Sequence, residues 1–290
     1  MGVIVAVLGE EDELPLPQGS APPGVVLRAP DQLPLEAALA EMGALLERST
    51  YVLVPVTDAV PRERLLRLHT LRSVLESGRI VPIRTGLPPL ANAVLARQLR
   101  QLSVYDFGPG VIASAARLFA HYIHTGAQLA SVAKLDRVPV DLKSHLKGWA
   151  PGTQYAALAS PQPVLLKLDA QAAARLPGPA FPTQLVYAGG QQVKTDWVVQ
   201  SLAPAWGVRA VDRVHLPSDS VRWWGTSKLT EFAAFIADPA VLYQAVARVM
   251  RVQCPWCGVE LIGEHCVLCD TPVVSAANHA VSDSVPHHSA

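Results

Sequence analysis

The stretch 50-TYVLVPV-56 is an almost continuous apolar run. A run of this length without polar alternation is typical of a strand that is buried on both faces of a parallel sheet. Segments with helical spacing of apolar residues lie on either side of it, at residues 34–46 and 61–75, and another apolar strand follows at Arg79–Ile83. This alternation of strands and helices predicts a doubly wound α/β fold.

Further elements around this run complete a first α/β domain, which we place at residues 1–125. The last helix of this domain is expected to begin at Gly108-Pro109-Gly110, because proline is favoured in the first turn of a helix. The additional strands and helices are predicted at Gly2–Leu8, Val25–Arg28, 89–102 and 109–124.

A second alternation predicts a second lobe at residues 161–251, after an irregular connection at residues 126–160. It begins with an apolar strand at Val164–Leu168 and includes a helix that Ser227 caps and that runs to Ala237. Both lobes are therefore expected to be Rossmann-like and doubly wound, with mostly parallel strands.

The four cysteines of the chain form two CxxC pairs. Each pair places two thiolates on one tight turn, and four sulfurs satisfy the tetrahedral coordination of zinc with no open position. Such a closed site stabilises a fold and does not catalyse a reaction. We therefore assign Cys254, Cys257, Cys266 and Cys269 as the ligands of one structural zinc ion per chain.

The segments CPWCG (254–258) and HCVLCD (265–270) together resemble the small zinc-ribbon module that many bacterial proteins carry at one end. The resemblance covers residues 252–272 and implies a reduced ribbon with one short hairpin. No known family is recognised in the rest of the chain. The polar tail that follows, at residues 273–290, is expected to be disordered.

Two other uses of these cysteines remain open. Cys254 and Cys257 alone are similar to the redox pair of thioredoxin-like proteins, although such a pair normally lies between a strand and a helix near the start of a domain. Disulfides are the second alternative, but the first nine residues lack the basic start of a secretory signal. His265 could replace a cysteine as ligand, although four sulfurs leave it no vacancy.

The composition indicates a globular protein, since 50% of the 290 residues are hydrophobic and 17% are charged. No apolar run approaches the roughly 18 residues of a membrane-spanning helix. We therefore expect a cytoplasmic protein without a membrane partner. The formal net charge is +0, which argues against a general nucleic-acid-binding surface.

The sequence contains none of the common motifs of phosphate-binding loops, dinucleotide-binding folds, serine hydrolases or zinc proteases. Gly189-Gly190 follows a predicted strand and precedes a predicted helix, a position where backbone amides can bind an anion. A plain tight turn is the competing interpretation. We assign no catalytic and no cofactor-binding residue.

Asp141-Leu142-Lys143, at the end of a predicted strand, could form part of a metal-dependent nuclease site. Asp141 would hold magnesium together with Asp106 or Asp136, while Lys143 polarises a phosphate. The competing interpretation is an exposed strand end. His121 and His124 are three residues apart in a predicted helix, and we interpret them as residues of its surface rather than as a metal-binding pair.

Two other clusters allow a binding or a structural interpretation. Arg222-Trp223-Trp224 could stack on a base or anchor an interface, but we favour packing in the interior, because large aromatic side chains are mostly buried. Arg62, Arg64, Arg67 and Arg72 share one predicted helix, where we favour a solvated face over a contact with phosphates or an acidic partner.

These patterns favour a non-catalytic cytoplasmic adaptor or regulatory protein of a multiprotein system, in which the ribbon stiffens a docking surface. A protein partner is expected, nucleic acid is a secondary possibility, and no small-molecule substrate is identified. The alternatives are a nuclease-like protein that processes nucleic acid and a Rossmann-like domain that senses nucleotides.

Overall fold

A computed structural model describes residues 2–9, 21–138, 153–189 and 197–273 of the protein. The first sheet contains four parallel strands in the spatial order β2-β1-β3-β4. The predicted run at residues 50–56 lies inside β3, next to the centre of this sheet. The strands are β1 (Gly2–Gly9), β2 (Val25–Arg28), β3 (Ser49–Val56) and β4 (Ile80–Arg84).

Helices cover both faces of the first sheet, as its continuously apolar strands require. The helices α1 (Leu35–Arg48) and α2 (Arg62–Val74) bury residues such as Met42 and Leu68 against one face. The opposite face packs against α3 (Pro89–Leu102) and α4 (Pro109–Tyr122). This two-sided burial confirms the predicted α/β class.

The second sheet has six strands in the order β7-β6-β5-β10-β8-β9. Its pairs are antiparallel except for β8 with β9, so the sheet is mixed where we expected mostly parallel strands. Short connections such as Pro161–Pro163 favour antiparallel neighbours, because a parallel crossover needs a dozen or more residues. The strands are β5 (His124–Leu129), β6 (Tyr155–Ser160), β7 (Val164–Lys167), β8 (Gln184–Gly189), β9 (Val211–Arg213) and β10 (Leu229–Phe235).

The predicted helix from Ser227 to Ala237 is wrong, because this segment forms β10. All seven residues of β10 are buried, and the strand pairs with β5 on one side and β8 on the other. A short apolar run does not distinguish a buried helix from a central strand by periodicity alone. The shorter helices are α5 (Ala172–Arg175), a π-helical turn (Val198–Leu202) that continues into α6 (Ala203–Ala205), α7 (Ser220–Trp224) and α8 (Pro239–Ala247).

The helix α3 lies between the two sheets and joins them. It contacts β1 and β3 of the first sheet, β10 of the second, and α4, α7 and α8. Every residue of α3 except Arg97 is buried. The fully buried side chain of Glu231 in β10 accepts a hydrogen bond from Leu90 N in the first turn of α3, at 2.9 Å. A carboxylate there also compensates the positive end of the helix dipole.

The C-terminal ribbon consists of the hairpin β11 (Arg251–Gln253) and β12 (Glu260–Ile262) with two cysteine turns. It packs on α4, where Gly110 allows close approach: a Cβ atom at this position would lie 2.4 Å from the backbone oxygen of Glu260. Ile262 belongs to the same apolar cluster as α3 and α4. The ribbon is therefore attached to the main core, and the domain boundaries inferred above stay a prediction.

No helix within the described ranges is both long enough and apolar enough to cross a membrane.

We predict that Gly110→Ala lowers the free energy of unfolding by about 1–3 kcal/mol, since an added methyl group must push the ribbon away from α4. Chemical denaturation monitored by tryptophan fluorescence measures this change.

Gly43→Ala is the matched control for this substitution. Gly43 lies inside α1, and a Cβ atom there would meet no atom within 4 Å. Alanine should therefore raise the free energy of unfolding by up to about 1 kcal/mol through helix propensity. Equal effects of the two substitutions would show that the ribbon does not depend on close contact with α4.

Candidate functional site

A small cavity lies beyond the carboxyl ends of β1 and β3. The chain leaves β1 toward β2 on one side and returns to β3 on the other, so the strand order reverses here. Open α/β sheets bind ligands in the crevice at such a reversal. The cavity has a volume of about 20 Å³, and its polar lining comes from Thr57, Asn92 and Asp219. We call it the strand-end cavity.

Hydrogen bonds fix the polar side chains of this cavity. Asn92 Nδ2 donates to Pro55 O at 3.2 Å, and Thr85 Oγ1 donates to Asn92 Oδ1 at 3.0 Å. Thr57 Oγ1 accepts a hydrogen bond from Ala59 N at 3.4 Å. Among the described residues, this leaves the Thr57 hydroxyl hydrogen available to a ligand that accepts a hydrogen bond.

Asp219 connects the lining of this cavity to α2 through an ion pair. Arg64 Nη1 lies 3.5 Å from Asp219 Oδ2, and the two side chains are only 14% and 8% exposed. Burial raises the pKa of the Asp219 carboxyl group, while the neighbouring Arg64 lowers it. An anionic ligand could therefore replace Asp219 as the partner of Arg64.

Buried polar atoms that have no hydrogen-bond partner among the described residues lie directly after Asp219, on the short helix α7. They are Ser220 Oγ, Trp223 Nε1 and Trp224 Nε1. The two indole rings pack with their centroids 4.4 Å apart. Native proteins leave few such groups unsatisfied, and a missing ligand or water is a common reason.

The two tryptophans belong to an apolar cluster beside the cavity, which we call the tryptophan cluster and define as Ala59, Leu129, Trp223, Trp224 and Leu229. Trp223 and Trp224 are 2% and 0% exposed, so their predicted role in packing is confirmed. The cluster joins the loop after β3 to the second sheet. Buried apolar side chains therefore lie next to the polar groups of the cavity.

The four cysteines converge at the C-terminus. Their sulfur atoms all lie within 4.8 Å of one another, with 3.5 Å between those of Cys254 and Cys269 and 3.6 Å between those of Cys257 and Cys266. Tetrahedral zinc with Zn–S bonds of about 2.3 Å requires sulfurs about 3.8 Å apart. The arrangement is compatible with a zinc-binding module. Within the described ranges, no other group of three or more potential ligands converges in this way.

Two residues with positive φ complete the cysteine turns. Gly258 (φ 71°) donates its N–H to Cys254 O at 3.0 Å, and Asp270 (φ 59°) donates its N–H to Cys266 O at 2.8 Å.

The thiols of the second cysteine pair have shifted pKa values. A hydrogen bond with Thr271 lowers the pKa of Cys269 to about 6, whereas burial raises the pKa of Cys266 to about 12. His265 is exposed and is not among the converging ligands.

The residues considered for a nuclease site or an anion site lie partly outside the described ranges. Asp141, Lys143 and Gly190 lie outside the described residues. Asp106 and Asp136 are exposed.

The predicted helical surface pair of His121 and His124 is wrong, because α4 ends at Tyr122 and the buried His124 begins β5. Burial lowers the pKa of His124.

The arginines of α2 do not share one solvated face. Arg62 is exposed, as expected, but Arg64 is partly buried and pairs with Asp219, a residue of the strand-end cavity from a distant part of the chain. Thr57, Asn92 and Asp219 were not singled out from the sequence. The available signal was the position of Thr57 directly after a buried parallel strand, where ligand-binding residues concentrate.

Neither a family model nor a curated protein matches the chain. Solved structures with a similar fold include the DegV family protein Cg2579 from Corynebacterium glutamicum, with 12% identity and a TM-score of 0.57 over 82% of this chain and 98% of that one. A fatty-acid-binding DegV family protein from Thermus thermophilus has 11% identity and a TM-score of 0.56, over 81% and 99% of the two chains. At this identity the likeness establishes the fold.

A third similar structure is the Fatty Acid Kinase (Fak) B3 protein from Streptococcus pneumoniae, loaded with linoleic acid. It has 13% identity and a TM-score of 0.53 over 82% of this chain and 100% of that one.

These likenesses overturn the functional prediction made from the sequence. An adaptor was expected, with a nuclease or a nucleotide sensor as alternatives, whereas the proteins of this fold from Thermus and Streptococcus bind fatty acids. The prediction of a protein or nucleic-acid partner without a small-molecule ligand is wrong for the same reason. The chain thus has the fold of the DegV family proteins.

Proposed function

We propose that this protein binds a long-chain carboxylic acid between its two sheets, with the carboxylate at the strand-end cavity and the chain along the tryptophan cluster. The proposal is supported by the fatty-acid ligands of proteins with this fold. The observation that carries it is that a partly buried guanidinium group, an available hydroxyl hydrogen and a buried apolar cluster lie near one strand-end reversal.

Arg64 and Thr57 supply the groups that a carboxylate needs. The guanidinium of Arg64 offers two parallel N–H donors, which match the two oxygens of a carboxylate. Its present partner, Asp219, lies 3.5 Å away, a long distance for a charge-assisted hydrogen bond. A ligand carboxylate would take its place and accept a further hydrogen bond from Thr57.

The apolar chain of the ligand would lie against the tryptophan cluster. A cavity of about 20 Å³ accommodates little more than a head group. Binding of an acyl chain therefore requires side chains of this cluster to move. The unsatisfied polar atoms of Ser220, Trp223 and Trp224 lower the cost of such a rearrangement, because no hydrogen bond among the described residues has to be broken.

The four cysteines are further proposed to hold one structural zinc ion. Zinc would supply folding free energy to a ribbon that is too small to have an extensive core of its own. Cys254 and Cys266 are buried with Leu261 and Val273, and this small cluster is all that the ribbon buries by itself. Four thiols that remain reduced to bind metal also favour a cytoplasmic location.

We predict that Arg64→Ala weakens binding of oleic acid about tenfold or more, because the carboxylate loses a charge-assisted partner. Asp219→Asn should strengthen binding about threefold or more, because it removes a like charge and frees Arg64. Displacement of a fluorescent fatty acid measures both affinities.

Arg62→Ala, on the exposed side of α2, is the control and should leave the affinity unchanged. The double variant Arg64→Ala/Asp219→Asn avoids an unpaired buried charge and should also bind weakly. If Arg64→Ala and Asp219→Asn shifted the affinity in the same direction, the carboxylate would not be at this pair. If no variant, including the wild type, bound oleic acid, the proposed function would be wrong.

We predict one zinc ion per chain in protein purified without a chelator, and loss of this zinc in Cys266→Ser. Elemental analysis by mass spectrometry gives the content. His265→Ala is the control, since this exposed residue is not among the converging ligands, and it should retain full zinc. Zinc-free wild-type protein with a reversible Cys254–Cys257 disulfide would favour the redox interpretation instead.

A further inference from the structure

A second and larger cavity lies at the outer edge of the first sheet. It has a volume of about 510 Å³, within the range of small-molecule sites, and is open to solvent. Its walls are α2, the outer edge of β4, α4 and the second cysteine turn of the ribbon. We call it the edge groove. None of the residues that line the strand-end cavity lines this groove.

The edge groove is basic. Arg72 from α2, Arg84 from β4 and Arg117 from α4 line it, and His69 lies one helical turn before Arg72. None of these three arginines has an ion-pair partner in the part of the chain that the structure describes. Asp270 is the sole carboxylate of the lining. Three guanidinium groups that form no ion pair with another described residue, on three separate elements, make a site for an anion.

The floor of the groove is apolar. Leu65, Ile83 and Leu268 belong to the lining together with neighbouring valines. An inorganic ion would leave this surface in contact with water, whereas an organic molecule could cover it. The groove thus combines an anion site with an apolar surface, as expected for a small organic anion.

The edge of β4 is unsuited to an extended peptide. Two hydrogen bonds fix which residues of the segment 79–85 face β3: Thr85 N donates to Val56 O, and Arg79 O accepts from Val52 N. In this parallel pair, the backbone groups of the odd-numbered residues therefore point toward β3. The even-numbered residues, among them Pro82, therefore direct their backbone groups away from β3. Proline has no N–H group, which interrupts the row of donors that an added strand requires.

The number of arginines favours phosphate over carboxylate. A carboxylate offers two oxygens and one negative charge, while a terminal phosphate offers three oxygens and up to two charges. Guanidinium groups that approach from three different elements can each bind a separate phosphate oxygen. The ribbon contributes to the same site, because Leu268 and Asp270 of its second turn belong to the lining.

We infer that the edge groove binds a small phosphate monoester with an apolar group, held by Arg72, Arg84 and Arg117. This site is separate from the strand-end cavity and does not depend on the proposed function. Its phosphate lies among the arginines, and its apolar group covers Leu65, Ile83 and Leu268.

Hexyl phosphate and inorganic phosphate are the probes, measured by isothermal titration calorimetry on the full-length, zinc-loaded protein at low ionic strength. Hexyl phosphate should bind about fivefold or more tightly than inorganic phosphate, because it buries several methylene groups. Binding should weaken as salt is added, because exposed charges are screened. Equal affinity for the two probes would overturn the inference of an organic ligand.

The double variant Arg84→Ala/Arg117→Ala should weaken binding of hexyl phosphate at least about tenfold, since a phosphate loses two charge-assisted partners. Both arginines are exposed and form no ion pair with another described residue, so the fold should tolerate their loss. Asp270→Asn should strengthen it about two- to fivefold, and asparagine tolerates the positive φ of this position. Arg62→Ala, on the same helix as Arg72 but outside the groove, is the control.

Arg64→Ala separates this inference from the proposed function. It should leave the affinity for hexyl phosphate unchanged, because Arg64 does not line the edge groove. If hexyl phosphate lost affinity in Arg64→Ala and kept it in the double variant, it would bind at the strand-end cavity, and the inference would be wrong. Absence of binding to the wild type would equally overturn it.

Discussion

The architecture depends on the burial of α3 between two sheets. A helix in this position has no solvent-exposed side, so both sheets must supply apolar surface, and they do so through residues such as Val5, Leu53 and Ala233. The residues of its first turn are buried, so the backbone N–H groups that lack a partner within the helix need one from elsewhere in the protein. The buried carboxylate of Glu231 accepts one of these hydrogen bonds from the opposite sheet. Hydrophobic burial and helix capping therefore both tie the two sheets together at the same place, next to the strand-end cavity.

Local patterns of the sequence were sufficient to predict the first sheet and the cysteine site. β3 is a long apolar strand between amphipathic helices, and CxxC spacing defines a turn geometry that does not depend on distant residues. The second sheet was harder to predict, because its strand β10 pairs with strands on both sides and is buried on both faces. Its periodicity carries no information about helix or strand, and its partners β5 and β8 are far away in the sequence.

The strand-end cavity could not be predicted for a similar reason. Arg64 and Asp219 form one ion pair, but they are 155 residues apart. Neither residue belongs to a motif. The sequence alone does not distinguish the role of Arg64 from those of the three other arginines on the same helix. Thr57 and Asn92 are ordinary polar residues whose role follows from the reversal of strand order. The general location of such a site follows from topology, whereas its chemistry follows from contacts that only the folded chain brings together.

The attachment of the ribbon to α4 has a consequence for synthesis of the chain. Domains fold as they emerge from the ribosome, starting at the N-terminus. The surface of α4 around Gly110 is covered by Val259 and Glu260, which are among the last parts of the described chain to be made. The whole second sheet must be translated before this surface is covered. Until then this surface of α4 is exposed in the nascent chain, where chaperones or other chains can bind to it.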